Sequence, residues 1–179
     1  GVEGQYLVAS LIAAFVGSQF SIITPIHILF IIIIAVACSA MWAAIAGYLK
    51  VKKGIHEVIS TIMLNYIGTG LIAYGLTNVF DEAGSDYELP RTPELPESGQ
   101  MPALNNLFRL DDLQDLHGFL FVAIAAGIFY YWLVWKTTLG FDLRITGANP
   151  VAAKFSGINP NRLIIVAMVT SGGFAGLVG

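Results

Sequence analysis

Apolar positions along this chain gather into five runs separated by polar or proline-rich stretches, and each approaches the roughly 20 helical residues needed to cross a hydrocarbon core. They extend over about Gly4 to Ser18, Pro25 to Leu49, Glu57 to Asn78, His117 to Trp135 and Leu163 to Gly179. The second is the clearest. From Ile26 to Leu49 it holds no formal charge, and as a helix it would be about 36 Å long. Runs of this kind predict an all-α, polytopic transmembrane helical bundle of about five membrane segments. Both ends of the chain fall within apolar sequence and read as truncations, so the first and last runs are expected to be incomplete. No basic stretch precedes the first run as it would in a signal peptide.

Composition agrees with this pattern. Hydrophobic residues fill 56% of the 179 positions and charged residues 12%, about half the charged share of soluble domains, and the mean hydropathy is +0.73. Such a chain cannot cover itself with polar surface, which argues against a soluble enzyme. The formal charge of −3 matters less than its segregation. Lys50, Lys52 and Lys53 close the second run, and Lys136, Arg144, Lys154 and Arg162 lie between the fourth and fifth. Span parity puts both clusters on one side, which should be the cytoplasm. The connection 79–116 falls on the other side, carries nine acidic residues against Arg91 and Arg109, and should be external. Its prolines, Pro90, Pro93, Pro96 and Pro102, predict extended or turn structure through most of it. The organisation expected is one transmembrane domain over 1–179, with an external loop at 79–116 and a cytoplasmic loop at 136–162.

The cytoplasmic loop holds a complete short-helix signature. Asn149 is a good N-cap, Pro150 fits the first helical position, and Gly157 can take the left-handed conformation that ends a helix. Asn159 and Pro160 predict a turn, with Asn161 able to cap the fifth span. The short helix would present Val151, Ala152 and Phe155, either to a groove on a soluble partner or to lipid headgroups.

Glu3 and Gln5 stand beside Gly1 and Gly4 at the start of the first run. A charge within a span costs about 3 kcal/mol, so Glu3 either faces a partner or a watery cavity or lies at the interface. Glu57, Thr61 and Asn65 recur four apart on one helical face, with Ser60 and Tyr66 beside them. That face either lines a solute path or bonds a neighbouring helix. Gly172 with Gly176 permits close helix contact or a local break near a transport path, and Ala43 with Gly47 permits the same. His27, His56 and His117 lie near span ends, as interfacial side chains do, and the lone Cys38 reads as packing. Phosphate loops, paired-cysteine motifs and HExxH are missing from the sequence. The chain is therefore expected to have no catalytic residue, no metal site and no cofactor, and any ATP chemistry must come from another subunit.

Three segments together resemble the permeases of bacterial ABC importers in the ribose and branched-chain amino acid superfamily. They are Gly1 to Gln5, then Gly54 to Ile67, and then Thr138 to Arg144 followed by Gly147 to Pro150 and Ala152 to Ile158. Glu57 to Tyr66 and the external Thr92 to Gly99 are most similar to the nucleoside and simple-sugar branch, whose binding proteins are lipoproteins. His56 stands where the family more often has Asn. The resemblance implies that Pro150 to Ser156 is a coupling helix seated in a cytoplasmic ABC ATPase subunit. Its coupling set would be Arg144, Gly147, Asn149, Pro150, Ala152, Ala153, Lys154, Phe155 and Gly157, and its solute path would run near Glu3, Gln5, Thr61, Asn65 and Tyr66. It further implies a second permease subunit, an extracytoplasmic solute-binding lipoprotein, and alternating access in a bacterial cell membrane, with membrane lipid but no nucleic acid as a partner. The expected cargo is a nucleoside or a related small polar solute, with a sugar or branched-chain amino acid as the alternative. A rival of another class is an ATP-independent channel or secondary transporter, which would need ionisable residues paired within the spans.

A cysteine replacing Lys154 should stay unmodified when intact cells are treated with a membrane-impermeant maleimide, and should react once the cells are opened. Modification from outside would turn the proposed arrangement upside down.

Overall fold

The computed structural model describes residues 3–20, 23–78, 95–99 and 118–178, and among them every regular element is a helix. In chain order these are α1 (Glu3–Gln19), α2 (Thr24–Lys53), α3 (Glu57–Asn78), a single 3-10 turn (Glu97–Gly99), α4 (Phe119–Lys136), α5 (Thr138–Ala148), α6 (Pro150–Phe155) and α7 (Pro160–Gly176). Three of them, α2, α3 and α4, are long and apolar enough to cross a membrane. α1 and α7 have 17 residues each. Most of the external connection read from the sequence, together with His117, Gly1 and Val2, lies outside the described residues.

The chain divides into two compact units, one of Gly1–Gln100 with Ile164–Gly179 and one of Met101–Leu163. In the first, helices meet through small residues. Along α2, Ala35, Ser39, Ala43, Ala46 and Gly47 are buried, while Ile26, Leu29, Ile33, Met41 and Ile45 are exposed. This inverts the soluble pattern. Lipid solvates the large apolar side chains as well as a protein core would, so close backbone approach decides which face turns inward. α7 packs on that stripe. A Cβ on Gly172 would collide with Ala43 Cβ and lie 2.8 Å from the Ser39 carbonyl oxygen, and one on Gly176 would lie 2.9 Å from Val36 Cα.

α1 and α3 cross in the same way, with Gly68 against Gly4: a Cβ on Gly68 would sit 3.2 Å from Gly4 Cα. The link from α2 to α3 is a tight turn. Gly54, at φ 68°, ends α2 and gives its N–H to the Lys50 carbonyl. Lys50 reaches across the turn to Glu57 at 2.8 Å. His56 supplies a ring nitrogen, Nδ1, which accepts a long 3.4 Å bond from the Val58 N–H. It therefore takes the N-cap role that an Asn would fill with its amide oxygen.

His27 departs from the interfacial role that its place near a span end suggests. It is fully buried. Its Nε2 lies 3.0 Å from the Gly17 carbonyl oxygen and its Nδ1 lies 2.9 Å from the Ser98 hydroxyl. A carbonyl can only accept, so Nε2 is the donor there, and Nδ1 is left to meet Ser98. The same ring packs near Gly99, where a Cβ would come within 3.2 Å of Cε1. One side chain thus ties the end of α1, the start of α2 and the 95–99 segment together.

In the second unit, no residue of α4 is buried. The connection after it is more helical than the sequence suggests, since α5 fills most of what was read as the approach to the short helix. Thr137 explains this. Its extended backbone and its hydroxyl, which accepts from the Gly140 N–H, start a new helix one residue after the previous one ends.

His27→Ala leaves a buried carbonyl and a hydroxyl without their partner and opens a cavity, so it should lower unfolding stability in detergent by about 2 to 4 kcal/mol. Gly172→Leu should destabilise by about 1 to 3 kcal/mol through overpacking, whereas Gly70→Ala, with open space around it, should be tolerated. Denaturant titration of the purified variants checks all three.

Candidate coupling segment and solute path

The short helix α6 is closed at both ends by its own sequence. The Asn149 side-chain oxygen accepts from the N–H groups of Val151 at 3.0 Å and Ala152 at 3.1 Å, and Pro150 takes the first position, where no donor is needed. At the other end Gly157 has φ 81°. Its N–H bonds the Lys154 carbonyl, and the Ile158 N–H bonds the Ala153 carbonyl at 3.0 Å. This pair of bonds is the Schellman closure, which satisfies carbonyls a six-residue helix would otherwise leave bare. The same Asn-Pro device recurs at α7, where the Asn159 oxygen accepts from Asn161 and Arg162. The cap of that helix is thus Asn159, not Asn161.

Ala153 is fully buried and holds α6 in place. Val151 and Phe155 point outward, and Phe155 is 89% exposed. Ala152, Lys154 and Gly157 are also exposed. Asn149 serves two helices, because its own N–H bonds the Ile145 carbonyl and ends α5. Arg144, on α5, lies over the Trp135 ring at 4.4 Å, and Gly147 is exposed.

The residues read as a solute path are sorted differently by the first unit. Asn65 Oδ1 accepts from the Gly4 N–H at 2.9 Å. That bond satisfies one of the orphan donors in the first turn of α1. Thr61 is buried, with its hydroxyl donating to the Val58 carbonyl. Gln5 is buried, and its Oε1 has no hydrogen-bond partner among the described residues. Glu3 is exposed. Tyr66 is 78% exposed, because one residue further along a helix turns the side chain by about 100°. An open groove of about 430 Å³ beside α1, α2 and α3 is walled by Val8, Met41, Trp42, Leu71 and other mostly apolar side chains. It suits hydrocarbon better than a polar solute.

Sequence reading missed Thr137 and the helix it starts. The signal available was a Thr just before Leu139, Leu143 and Ile145, whose spacing of four and then two is too sparse to outweigh two nearby glycines.

Residues 1–179 match the family model described as branched-chain amino acid transport system / permease component. Among curated proteins, the guanosine ABC transporter permease protein of Bacillus subtilis is 36% identical over all of this chain and 50% of its own length. The nucleoside ABC transporter permease protein of Lactococcus lactis subsp. cremoris is 30% identical, again over all of this chain and 50% of its own. The glucose ABC transporter permease protein of Haloferax volcanii is 27% identical over all of this chain and 48% of its own. The chain therefore spans about half the length of the curated relatives it matches. No solved structure is a significant match. With a family model covering its whole length and three apolar helices long enough to span a bilayer, this multi-pass membrane chain belongs to the branched-chain amino acid transport system permease family.

Proposed function

We propose that this chain is part of the membrane-spanning permease subunit of an ABC importer that moves nucleosides across the cell membrane by alternating access. The observation that carries the mechanical half is α6: an exposed helix of six residues, capped at both ends, in a basic stretch between apolar helices. A preformed rod loses little conformational freedom on docking, so motion in a partner can pass into it. On this reading Phe155 and Val151 enter a cleft of a cytoplasmic ATPase subunit, which supplies the ATP hydrolysis. The 136–162 stretch faces the cytoplasm and 79–116 faces outward, where a solute-binding lipoprotein docks. A second permease subunit completes the path.

The cargo reading is supported by relatives named for guanosine and nucleoside transport. A sugar is the second reading, favoured by the relative named for glucose. Gln5 is the strongest candidate for a solute contact in the first unit, since its buried acceptor is unspent, whereas the Asn65 oxygen is already engaged.

Phe155→Ala, made at a side chain that supports no packing, should leave membrane insertion intact. It should lower ATP-driven uptake by about ten-fold, as loss of one interfacial anchor does. Reconstitution with the ATPase and binding protein, with radiolabelled guanosine as solute, measures this. Uptake at the parent rate would remove α6 from the contact, and competition by glucose rather than by other nucleosides would transfer the cargo to sugars.

A further inference from the structure

α4, α5 and α6 follow one another with a single residue at each joint, Thr137 and then Asn149. Both joints are closed by hydrogen bonds on either side. At the first, the Thr137 hydroxyl donates to the Leu133 carbonyl at 2.6 Å, within the last turn of α4. The same oxygen accepts from the Gly140 N–H at 3.1 Å, within the first turn of α5. Two helix ends that would each leave a polar group bare are satisfied by one atom. The backbone at Gly140 sits hard against the carbonyls of Leu133 and Val134, where any Cβ would collide. A third tie lies further out: the Arg144 guanidinium rests 4.4 Å from the centroid of the Trp135 ring and so spans the elbow from α5 to α4.

These contacts act at different places. The Thr137 bonds tie the end of α4 to the start of α5, the Gly140 approach leaves no room for a side chain between them, and the Arg144 to Trp135 contact links the two helices at a second place. At the second joint, Asn149 bonds backward to Ile145 and forward to Val151 and Ala152. We propose that the Thr137 elbow, locked by Gly140 and by the Arg144 to Trp135 pair, is the rigid transmission through which displacement of α6 reaches the membrane helix α4. Thr137, Trp135 and Arg144 are then positioning residues, since they contact neither solute nor nucleotide. This rests on the coupling role proposed for α6, but it locates stiffness at a place the contact itself does not require.

Thr137→Val keeps the shape and removes both hydroxyl bonds, whereas Thr137→Ser keeps them. In proteoliposomes holding permease, ATPase and binding protein, Thr137→Val should raise the ATP consumed per guanosine transported by about three- to ten-fold, within the range of coupling changes produced by mutations along packed networks. The solute concentration for half-maximal uptake should change little, and Thr137→Ser should restore the parent ratio. A second measurement needs no transport. With Cys38 replaced by Ala, spin labels at Val151→Cys and Ile128→Cys should give a narrow distance distribution in the parent permease and a broader one in Thr137→Val. Should Thr137→Val fail to insert, the double variant Trp135→Leu, Arg144→Gln, confined to exposed side chains, decides by the same width. An unchanged distance width in the inserted variant overturns the transmission, as does an unchanged ATP ratio. ATP-independent uptake by the parent would instead overturn the importer reading, leaving the distance widths to decide the elbow.

Discussion

A helix leaves the N–H groups of its first turn and the carbonyls of its last turn without partners inside the helix, and where the joints between helices are short these groups must be satisfied locally if the joint is to hold one shape. At several of the joints among the described residues this chain meets that demand with one side chain or one glycine. Gly54, Thr137, Asn149, Gly157 and Asn159 each close a helix end by a short, local hydrogen bond. The Gly4 N–H goes further afield, to Asn65 on another helix. Because each closure is geometrically specific, the links between helices become defined angles, and a stretch that composition alone would class as loop becomes three jointed rods.

The lipid solvent explains the packing. Burying leucine in place of alanine gains little when lipid is the alternative, so contact is won by backbones coming close. Ala35, Ser39 and Ala43 on α2 meet the small residues of α7, and Gly4 meets Gly68, while the large side chains point outward. His27 is the largest of several polar side chains buried in this packing, and both of its ring nitrogens are used. A buried ring with two partners fixes an orientation that apolar contacts alone leave free.

These features give the proposed coupling a physical basis. A six-residue helix has too few internal bonds to persist in water by propensity alone. Here the Asn149 cap, the Gly157 closure and burial of Ala153 hold it ready. Phe155 is left free for a partner, and a partner that grips it meets an element already ordered.

Hydrophobic run length determined the helical class and the extent of α3 to the residue, and placed α1, α2 and α4 within a few, because the bilayer sets how much apolar sequence a span needs. Local chemistry determined α6 as well, since Asn149, Pro150 and Gly157 act over neighbouring residues and need no tertiary partner. Other features depended on contacts distant in sequence. His27 looks like any histidine near a span end until Gly17 and Ser98 close on it, the bond from Gly4 to the Asn65 oxygen exists only once α1 lies against α3, and α5 is hidden until the backbone of Gly140 folds against α4. Sequence periodicity reports which residues share a face of one helix. Which polar atom on that face finds a partner is decided only when a second helix arrives, because a hydrogen bond needs its partner within about 3 Å.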